Sequence, residues 1–186
     1  MKRRQFLRLI AAAPLVITVA GRLRSAWSAA TAGDKSLESI RKNWKSLLVR
    51  DAKVSLSTEP IQKSKAEWKR SLSGAQFYVL REEGTERPFS SALNGEKRPG
   101  VYACAGCALP LFTSQMKFDS GTGWPSFFTH IPGHLGTKQD FKLIVPRTEY
   151  HCIRCGGHQG HVFDDGPPPT GQRWCNNGVA LRFIPA

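Results

Sequence analysis

The sequence predicts a mainly β domain with short helices on its N-terminal side. After Gly84, short apolar segments of strand length alternate with turns rich in glycine and proline. Before Gly84, two helix-capping signatures follow each other within nine residues. The chain has 186 residues, enough for one well-formed hydrophobic core and an N-terminal appendage.

The first 32 residues are typical of a bacterial export signal of the twin-arginine kind. Residues 2–4 are basic, residues 9–21 are apolar, and small residues between 28 and 32 offer cleavage sites. The apolar run is shorter than the roughly 20 residues of a membrane-spanning helix, so stable membrane insertion is not expected. An uncleaved anchor is the alternative. We therefore expect a periplasmic or otherwise exported protein.

The export signal carries much of the positive charge. The formal net charge is +13, and no acidic residue precedes Asp34. Six basic residues belong to the signal: Lys2, Arg3, Arg4, Arg8, Arg22 and Arg24. Without these six the net charge is +7, which favours solubility and mild attraction to acidic surfaces. No basic and aromatic RNA-binding motif is present and exported proteins rarely meet DNA, so nucleic acid is not an expected partner.

Residues 33–63 form an N-terminal extension that is polar apart from one amphipathic stretch, 37–49. Its apolar residues recur at helical spacing: Leu37, Ile40, Trp44, Leu47 and Leu48. We expect a helix here that docks on the body of the protein.

Two short helices are expected where the main domain, 64–186, begins. Ser64 with Glu67, and Ser73 with Gln76, match the capping box that opens a helix. The predicted helices cover 64–72 and 74–83, and we expect them to cover one side of a sheet.

Four segments after Gly84 have the length and composition of strands. They are 101–103, 109–112, 141–145 and 179–184. The sequence contains no repeat and no low-complexity tract, which fits a single β-rich body.

Four of the five cysteines form two Cys-x-x-Cys pairs with the spacing of metal ligands. The pairs are Cys104 with Cys107 and Cys152 with Cys155. Four thiolates satisfy a tetrahedral Zn²⁺ and leave no open position, so we predict one structural zinc per chain. Two disulfides are the alternative in an oxidising compartment. A second alternative replaces a cysteine ligand by His158 or His161.

The fifth cysteine, Cys175, is a candidate nucleophile. If the chain around it is extended, Arg173, Cys175 and Asn177 share one face. A guanidinium near the sulfur favours the thiolate, which is the reactive form. An inert buried cysteine is the alternative reading of this position.

Two further segments supply groups that a reactive thiol needs. The glycine-rich stretch 156–165, expected as a loop, carries His158, His161 and Asp165, and Asp165 is expected to set the tautomer of His161 or hold it protonated. The stretch 119–128 carries Trp124 and Phe127, an apolar wall for a small hydrophobic group.

Together these segments resemble the methionine-R-sulfoxide reductases, the B class of that activity. The resemblance covers residues 64–185. It rests on Gly-Thr-Glu-Arg-Pro-Phe at 84–89, both cysteine pairs, Gly-Trp-Pro-Ser-Phe at 123–127, Gly-His-Val-Phe-Asp-Asp-Gly at 160–166 and the Cys175 segment.

The resemblance implies two antiparallel sheets with short N-terminal helices and a structural zinc away from the active site. It implies reduction of methionine-R-sulfoxide in oxidised proteins, with Cys175 attacking the sulfoxide sulfur and becoming a sulfenic acid. Trp124 and Phe127 would bind the substrate methyl group. The polar groups of the site would be His158, His161, Asp165, Arg173 and Asn177, with His161 as the acid.

One departure from the family pattern concerns the resolving step. Many members carry a resolving cysteine immediately before the Gly-Trp-Pro-Ser-Phe motif, whereas this chain has Thr122 there. We therefore expect an external reductant, either thioredoxin-like or a small thiol. We also expect a monomeric enzyme.

Two functions from other classes fit part of the sequence. A zinc-knuckle binding module for an acidic partner would not need a reactive Cys175. A thiol-disulfide oxidoreductase would need cysteine pairs that are free of metal.

Overall fold

The computed structural model describes residues 36–141 and 145–186. The predicted export signal, 1–32, lies outside these ranges. Within them, no helix has the length and hydrophobicity that crossing a membrane requires.

Among the described residues, three short α-helices precede the sheets. Residues 36–42 lie in helix α1, which continues into a 3-10 helix at Asn43–Leu47. Helices α2, Lys65–Ser71, and α3, Gly74–Glu82, each begin with a complete capping box, as predicted. A 3-10 turn at Ala92–Asn94 lies between α3 and the first strand, and two more lie between strands, at Ser114–Met116 and Gly178–Ala180.

In the part of the chain that the structure describes, nine strands form two antiparallel sheets, which confirms the predicted fold class. The first sheet has the order β2-β1-β9, with β1 Gly100–Cys104, β2 Pro110–Thr113 and β9 Leu181–Pro185. The second sheet has the order β3-β4-β8-β7-β6-β5. Its strands are β3 Lys117–Phe118, β4 Ser126–Phe127, β5 Leu135–Asp140, β6 Arg147–Cys152, β7 His158–Phe163 and β8 Arg173–Asn176.

The strand predictions hold at three of the four segments. The segment 101–103 lies within β1, and 109–112 overlaps β2. The segment 179–184 begins in a 3-10 turn and continues into β9. The prediction at 141–145 is wrong for its described residues. Strand β5 ends before Phe141 and strand β6 begins after Val145, so both residues lie in the connection between these strands. Both side chains are exposed.

The core between the sheets is aromatic. Phe112 and Phe127 stack with ring centroids 4.0 Å apart, and Tyr102 meets Phe127 edge-on at 5.1 Å. Tyr150 meets Trp174 edge-on at 5.0 Å. Phe127, Tyr150 and Trp174 all come from the six-stranded sheet, so one face of this sheet is committed to the core.

The N-terminal extension docks on the body as predicted. Trp44 is buried and packs edge-on against His134 with centroids 5.4 Å apart. The backbone N–H of Ser55 donates to the carbonyl of Ala108 at 2.9 Å, and that of Ile61 donates to the carbonyl of Arg154 at 2.8 Å. Through these contacts the extension crosses both cysteine loops.

The close approach of β7 to β8 requires a glycine. A Cβ atom at Gly160 would overlap the carbonyl oxygen of Cys175 on the neighbouring strand. Any side chain at position 160 would therefore separate the strands that carry His161 and Cys175.

We expect Gly160→Ala to destabilise the protein by about 1–3 kcal/mol, the usual cost of forcing an extra methyl group into a packed site. Chemical denaturation would measure the free energy of unfolding. Gly74→Ala is the matched control, because nothing lies within 4 Å of a Cβ at Gly74. Equal stability of the two variants would contradict the steric argument.

Candidate active site

The candidate site lies on one transverse row of the six-stranded sheet. Antiparallel pairing places Lys138 opposite Glu149, Glu149 opposite His161, His161 opposite Cys175, and Cys175 opposite Ser126. Directly opposed residues project to the same face. The register alone therefore brings a histidine to the side of the thiol, on the face away from the aromatic core.

An open pocket of about 120 Å³ lies over this row. It is lined by Thr85, Trp124, Arg147, Gly160, His161, Phe163, Cys175, Asn176 and Asn177. The indole Nε1 of Trp124 donates to the carbonyl of Glu86 at 3.2 Å, which fixes the ring as one wall. The pocket thus combines an aromatic wall, a thiol and an imidazole.

Asn177 holds a neighbouring segment against the pocket. Its side-chain oxygen accepts from the backbone N–H of Glu86 at 3.0 Å, and its amide nitrogen donates to the carbonyl of Gln159 at 3.0 Å. Strand β8 ends at Asn176, but the backbone of Asn177 is still extended. Asn177 lines the same pocket as Cys175.

Burial keeps Cys175 protonated in the resting protein. Desolvation raises the pKa of its thiol, and this effect outweighs the lowering effects of Arg173 and of a hydrogen bond with Thr122. Arg173 thus favours the thiolate, as the sequence predicts, but burial opposes this effect more strongly.

Arg173 is less effective than expected because Asp165 pairs with it. The guanidinium donates to both carboxylate oxygens of Asp165, at 2.8 and 2.9 Å. This pair lowers the pKa of Asp165 and raises that of Arg173. The expectation that Asp165 supports His161 was wrong, since the carboxylate faces Arg173 instead.

The carboxylate partner of His161 is Asp140. Nε2 of His161 lies 2.8 Å from Oδ2 of Asp140, and the same oxygen accepts from Arg147 at 2.6 Å. Burial lowers the pKa of His161, and the hydrogen bond to Asp140 only partly opposes this. The resting ring is thus neutral at neutral pH.

His158 lies behind the pocket rather than in its wall. The ring is 2% exposed, and its centroid is 5.5 Å from that of His161. Nδ1 lies 2.9 Å from Oε1 of Glu149, yet neither ring nitrogen has a partner in hydrogen-bonding geometry. The predicted loop at 156–165 is in fact largely strand β7, which explains this position.

Phe127 is a core residue and not part of the pocket wall. It is fully buried and stacks on Phe112. On β4, Ser126 lies opposite Cys175, so the next residue, Phe127, points to the core face. The same two-residue period could have excluded Phe127 from the site.

Three charged residues near the site were missed from the sequence: Asp140, Arg147 and Glu149. They lie on β5 and β6, the two strands on either side of the wrongly predicted 141–145 strand. The sequence signal that could have identified them is a β-hairpin formed by β5 and β6. With the connection placed at 141–146, Asp140 and Arg147 become an opposite-charge cross-strand pair.

The other four cysteines meet at one point. The Sγ atoms of Cys104, Cys107, Cys152 and Cys155 all lie within 4.8 Å of one another, with 104–155 at 3.6 Å and 107–152 at 3.5 Å. A disulfide needs sulfurs about 2 Å apart, and all five cysteines are free thiols. The cluster is thus arranged to hold a metal ion.

The cluster also joins the two sheets. Cys104 ends β1 of the first sheet, and Cys152 ends β6 of the second. Neither His158 nor His161 belongs to this cluster of possible metal ligands. A metal here would fasten the sheets together and leave Cys175 unligated.

Comparison with known proteins gives a consistent result. The SelR domain family matches residues 72–185. Peptide methionine sulfoxide reductase MsrB of Methanosarcina barkeri is 50% identical over 129 residues, covering 69% of this chain and 91% of that protein. The MsrB of Bradyrhizobium diazoefficiens is 48% identical over 136 residues, covering 73% and 98%.

The MsrB of Agrobacterium fabrum is 47% identical over 131 residues, covering 70% of this chain and 97% of that protein. Among solved structures, the Mis18 'Yippee-like' domain aligns with 48% of this chain and 98% of its own at a TM-score of 0.38 and 15% identity. That structural likeness is too weak to support an inference.

The raised pKa of Cys175 predicts slow alkylation at neutral pH and a rate that rises as the pH passes above the range of an exposed thiol. Arg173→Met removes the main lowering influence, so the pKa should rise further and the rate at pH 7.5 should fall roughly five-fold. Iodoacetamide labelling at Cys175, followed by peptide mass spectrometry across a pH series, measures both.

Arg70→Met is the control, because Arg70 is exposed on α2. Faster labelling of the Arg173 variant than of this control would show that Arg173 does not acidify the thiol.

Proposed function

Because this chain belongs to the SelR-domain family of MsrB peptide methionine sulfoxide reductases, we propose that Cys175 is the nucleophile with which it reduces methionine sulfoxide. The protein is an oxidoreductase that uses thiols to reduce methionine sulfoxide. The proposal concerns the residues, the epimer and the route by which the thiol is regenerated.

The observation that carries the proposal is the pairing of Cys175 with His161 beneath the Trp124 wall. Cross-strand pairing fixes the imidazole beside the thiol, and both line the same pocket as the indole. A sulfoxide carries a methyl group and an oxygen on one sulfur. With the methyl group against Trp124 and the oxygen toward His161, the sulfur faces Cys175.

The chemistry balances with groups from this site. His161 takes the proton of the Cys175 thiol, and the thiolate attacks the sulfoxide sulfur. The oxygen and the proton pass to Sγ, leaving methionine and a Cys175 sulfenic acid. The substrate sulfur is reduced by two electrons and Sγ is oxidised by two. His161 ends neutral, as it began.

An external thiol regenerates Cys175 in this proposal. Thr122 stands where a resolving cysteine would be, and its hydroxyl lies 2.8 Å from that of Ser120, which in turn lies 2.7 Å from that of Ser126. The other four cysteines belong to the sulfur cluster. Two equivalents of an external thiol, or one dithiol, would reduce the sulfenic acid to thiol and water.

We further propose that the cluster holds one structural Zn²⁺. Zinc–sulfur bonds of about 2.3 Å in a tetrahedron require sulfurs roughly 3.8 Å apart, close to the shortest separations in the cluster. With four thiolates no position remains for substrate, so the ion would contribute stability rather than catalysis.

The remaining proposals concern the setting of the enzyme. The substrates would be oxidised proteins or peptides outside the cytoplasm, reached through the twin-arginine signal at 1–32. The reductant would be a thioredoxin-like protein or a small thiol. The enzyme would act as a monomer.

Cys175→Ser should abolish reduction of racemic methionine sulfoxide and leave folding and metal content unchanged. Wild-type enzyme should consume the R epimer, and one substrate equivalent should leave a dimedone-trappable sulfenic acid on Cys175. Chiral chromatography and peptide mass spectrometry measure these outcomes.

Consumption of the S epimer alone would overturn the assigned epimer. A disulfide from Cys175 to one of the other four cysteines would overturn resolution by an external thiol. Full reductase activity of Cys175→Ser would overturn the assignment of Cys175 as the nucleophile.

Cys107→Ser should remove the zinc and destabilise the fold. We expect a loss of at least about 3 kcal/mol, or roughly 10 °C in Tm for a domain of this size. Elemental analysis and thermal unfolding measure the two effects, with Cys175→Ser as the matched cysteine control. Absence of zinc from purified wild type, with free Cys-x-x-Cys pairs, would favour a thiol-disulfide oxidoreductase.

A further inference from the structure

We propose that Asp140 is the residue that positions His161 and sets its tautomer for proton exchange with Cys175. This inference rests on the proposed roles of Cys175 and His161. Asp140 does not itself line the pocket but contacts two residues that do, His161 and Arg147, so it would act on the thiol through the imidazole.

The Asp140 carboxylate is held from two directions. Its Oδ2 accepts from Nη2 of Arg147 at 2.6 Å and lies 2.8 Å from Nε2 of His161. The side chain is 5% exposed, so water competes little for these contacts. Asp140 and Arg147 are also directly opposed on β5 and β6. The carboxylate is thereby a fixed point against which the ring orients.

This contact determines the tautomer of the neutral ring. The guanidinium of Arg147 stabilises the ionised carboxylate, which can only accept hydrogen bonds. Nε2 of His161 must therefore carry the proton. A neutral imidazole has one N–H, so Nδ1 carries the lone pair and is the nitrogen left for the pocket.

A basic Nδ1 is what the proposed chemistry needs. It accepts the proton of the Cys175 thiol, which leaves a thiolate and an imidazolium. Asp140 then faces a positively charged ring and stabilises it. The imidazolium returns the proton to the oxygen that leaves the substrate sulfur. Asp140 itself remains ionised throughout.

The other charged groups around His161 do not offer the same arrangement. Glu149 lies opposite His161 on β6 but contacts His158 and Lys138, the latter at 3.2 Å. His158 lies beside His161 on β7, with no hydrogen bond at either ring nitrogen. On β8, Arg173 is engaged by Asp165. Asp140 is the residue that forms a hydrogen bond with the ring of His161.

Asp140→Asn should remove the negative charge that holds the proton on Nε2 and stabilises the imidazolium, while the amide oxygen can still accept from Arg147. Nitrogen-15 NMR of the histidine rings should show the proton on Nε2 of His161 in wild type. We expect kcat to fall on the order of 10²-fold with a small change in KM, since the Trp124 wall is untouched. The pH dependence of kcat should also shift.

Glu149→Gln is the matched comparison, one carboxylate to amide change on the same row of the sheet. It should leave the tautomer of His161 unchanged and lower kcat less than Asp140→Asn does. Asp140→Glu should restore part of the activity if the acid acts as an acceptor for Nε2.

The wild-type spectrum decides the matter even if the Asp140 variants fail to fold. A proton on Nδ1 of His161 in wild type would overturn the proposal. So would a folded Asp140→Asn with kcat equal to that of Glu149→Gln. Loss of activity in Cys175→Ser would meanwhile stand apart, because it tests the nucleophile and not the orientation of the ring.

Discussion

The register between β7 and β8 is the constraint on which the site depends. It places His161 opposite Cys175 and, through β6 and β5, extends the same row to Glu149 and Lys138. A slip of one residue would turn Cys175 toward the aromatic core and Trp174 toward the pocket. Gly160 permits the close approach of the two strands, and the packing of Trp174 and Tyr150 resists any slip.

The sequence was informative wherever function depends on local spacing. Both capping boxes, the cysteine pairs and the extended Cys175 segment involve neighbours in the chain, and each was found. The errors concern pairings between strands. Asp165 is four residues from His161, yet the geometry of β7 and β8 sends it to Arg173. Asp140 is 21 residues from His161 and reaches it only through two strand pairings.

The five cysteines have two different roles, which depend on where each side chain lies. Four lie together where a metal can hold them, at the junction of the two sheets, and the extension passes over both of their loops. The fifth faces a pocket in which desolvation keeps it protonated. A protonated thiol reacts slowly with general oxidants, since the thiolate is the reactive form. The protein thus protects its thiol by a neutral resting state that a neighbouring base can reverse.

The two side chains of the Arg173–Asp165 ion pair differ in exposure, and this difference makes the acidity of Cys175 depend on ionic strength. Asp165 is 62% exposed, whereas Arg173 is 9% exposed and close to the sulfur. Dissolved salt screens the outer carboxylate more than the inner guanidinium. Added salt should therefore weaken the hold of Asp165 on Arg173 and leave more of the guanidinium's field on Cys175. The thiol of Cys175 would therefore become more acidic as the salt concentration increases.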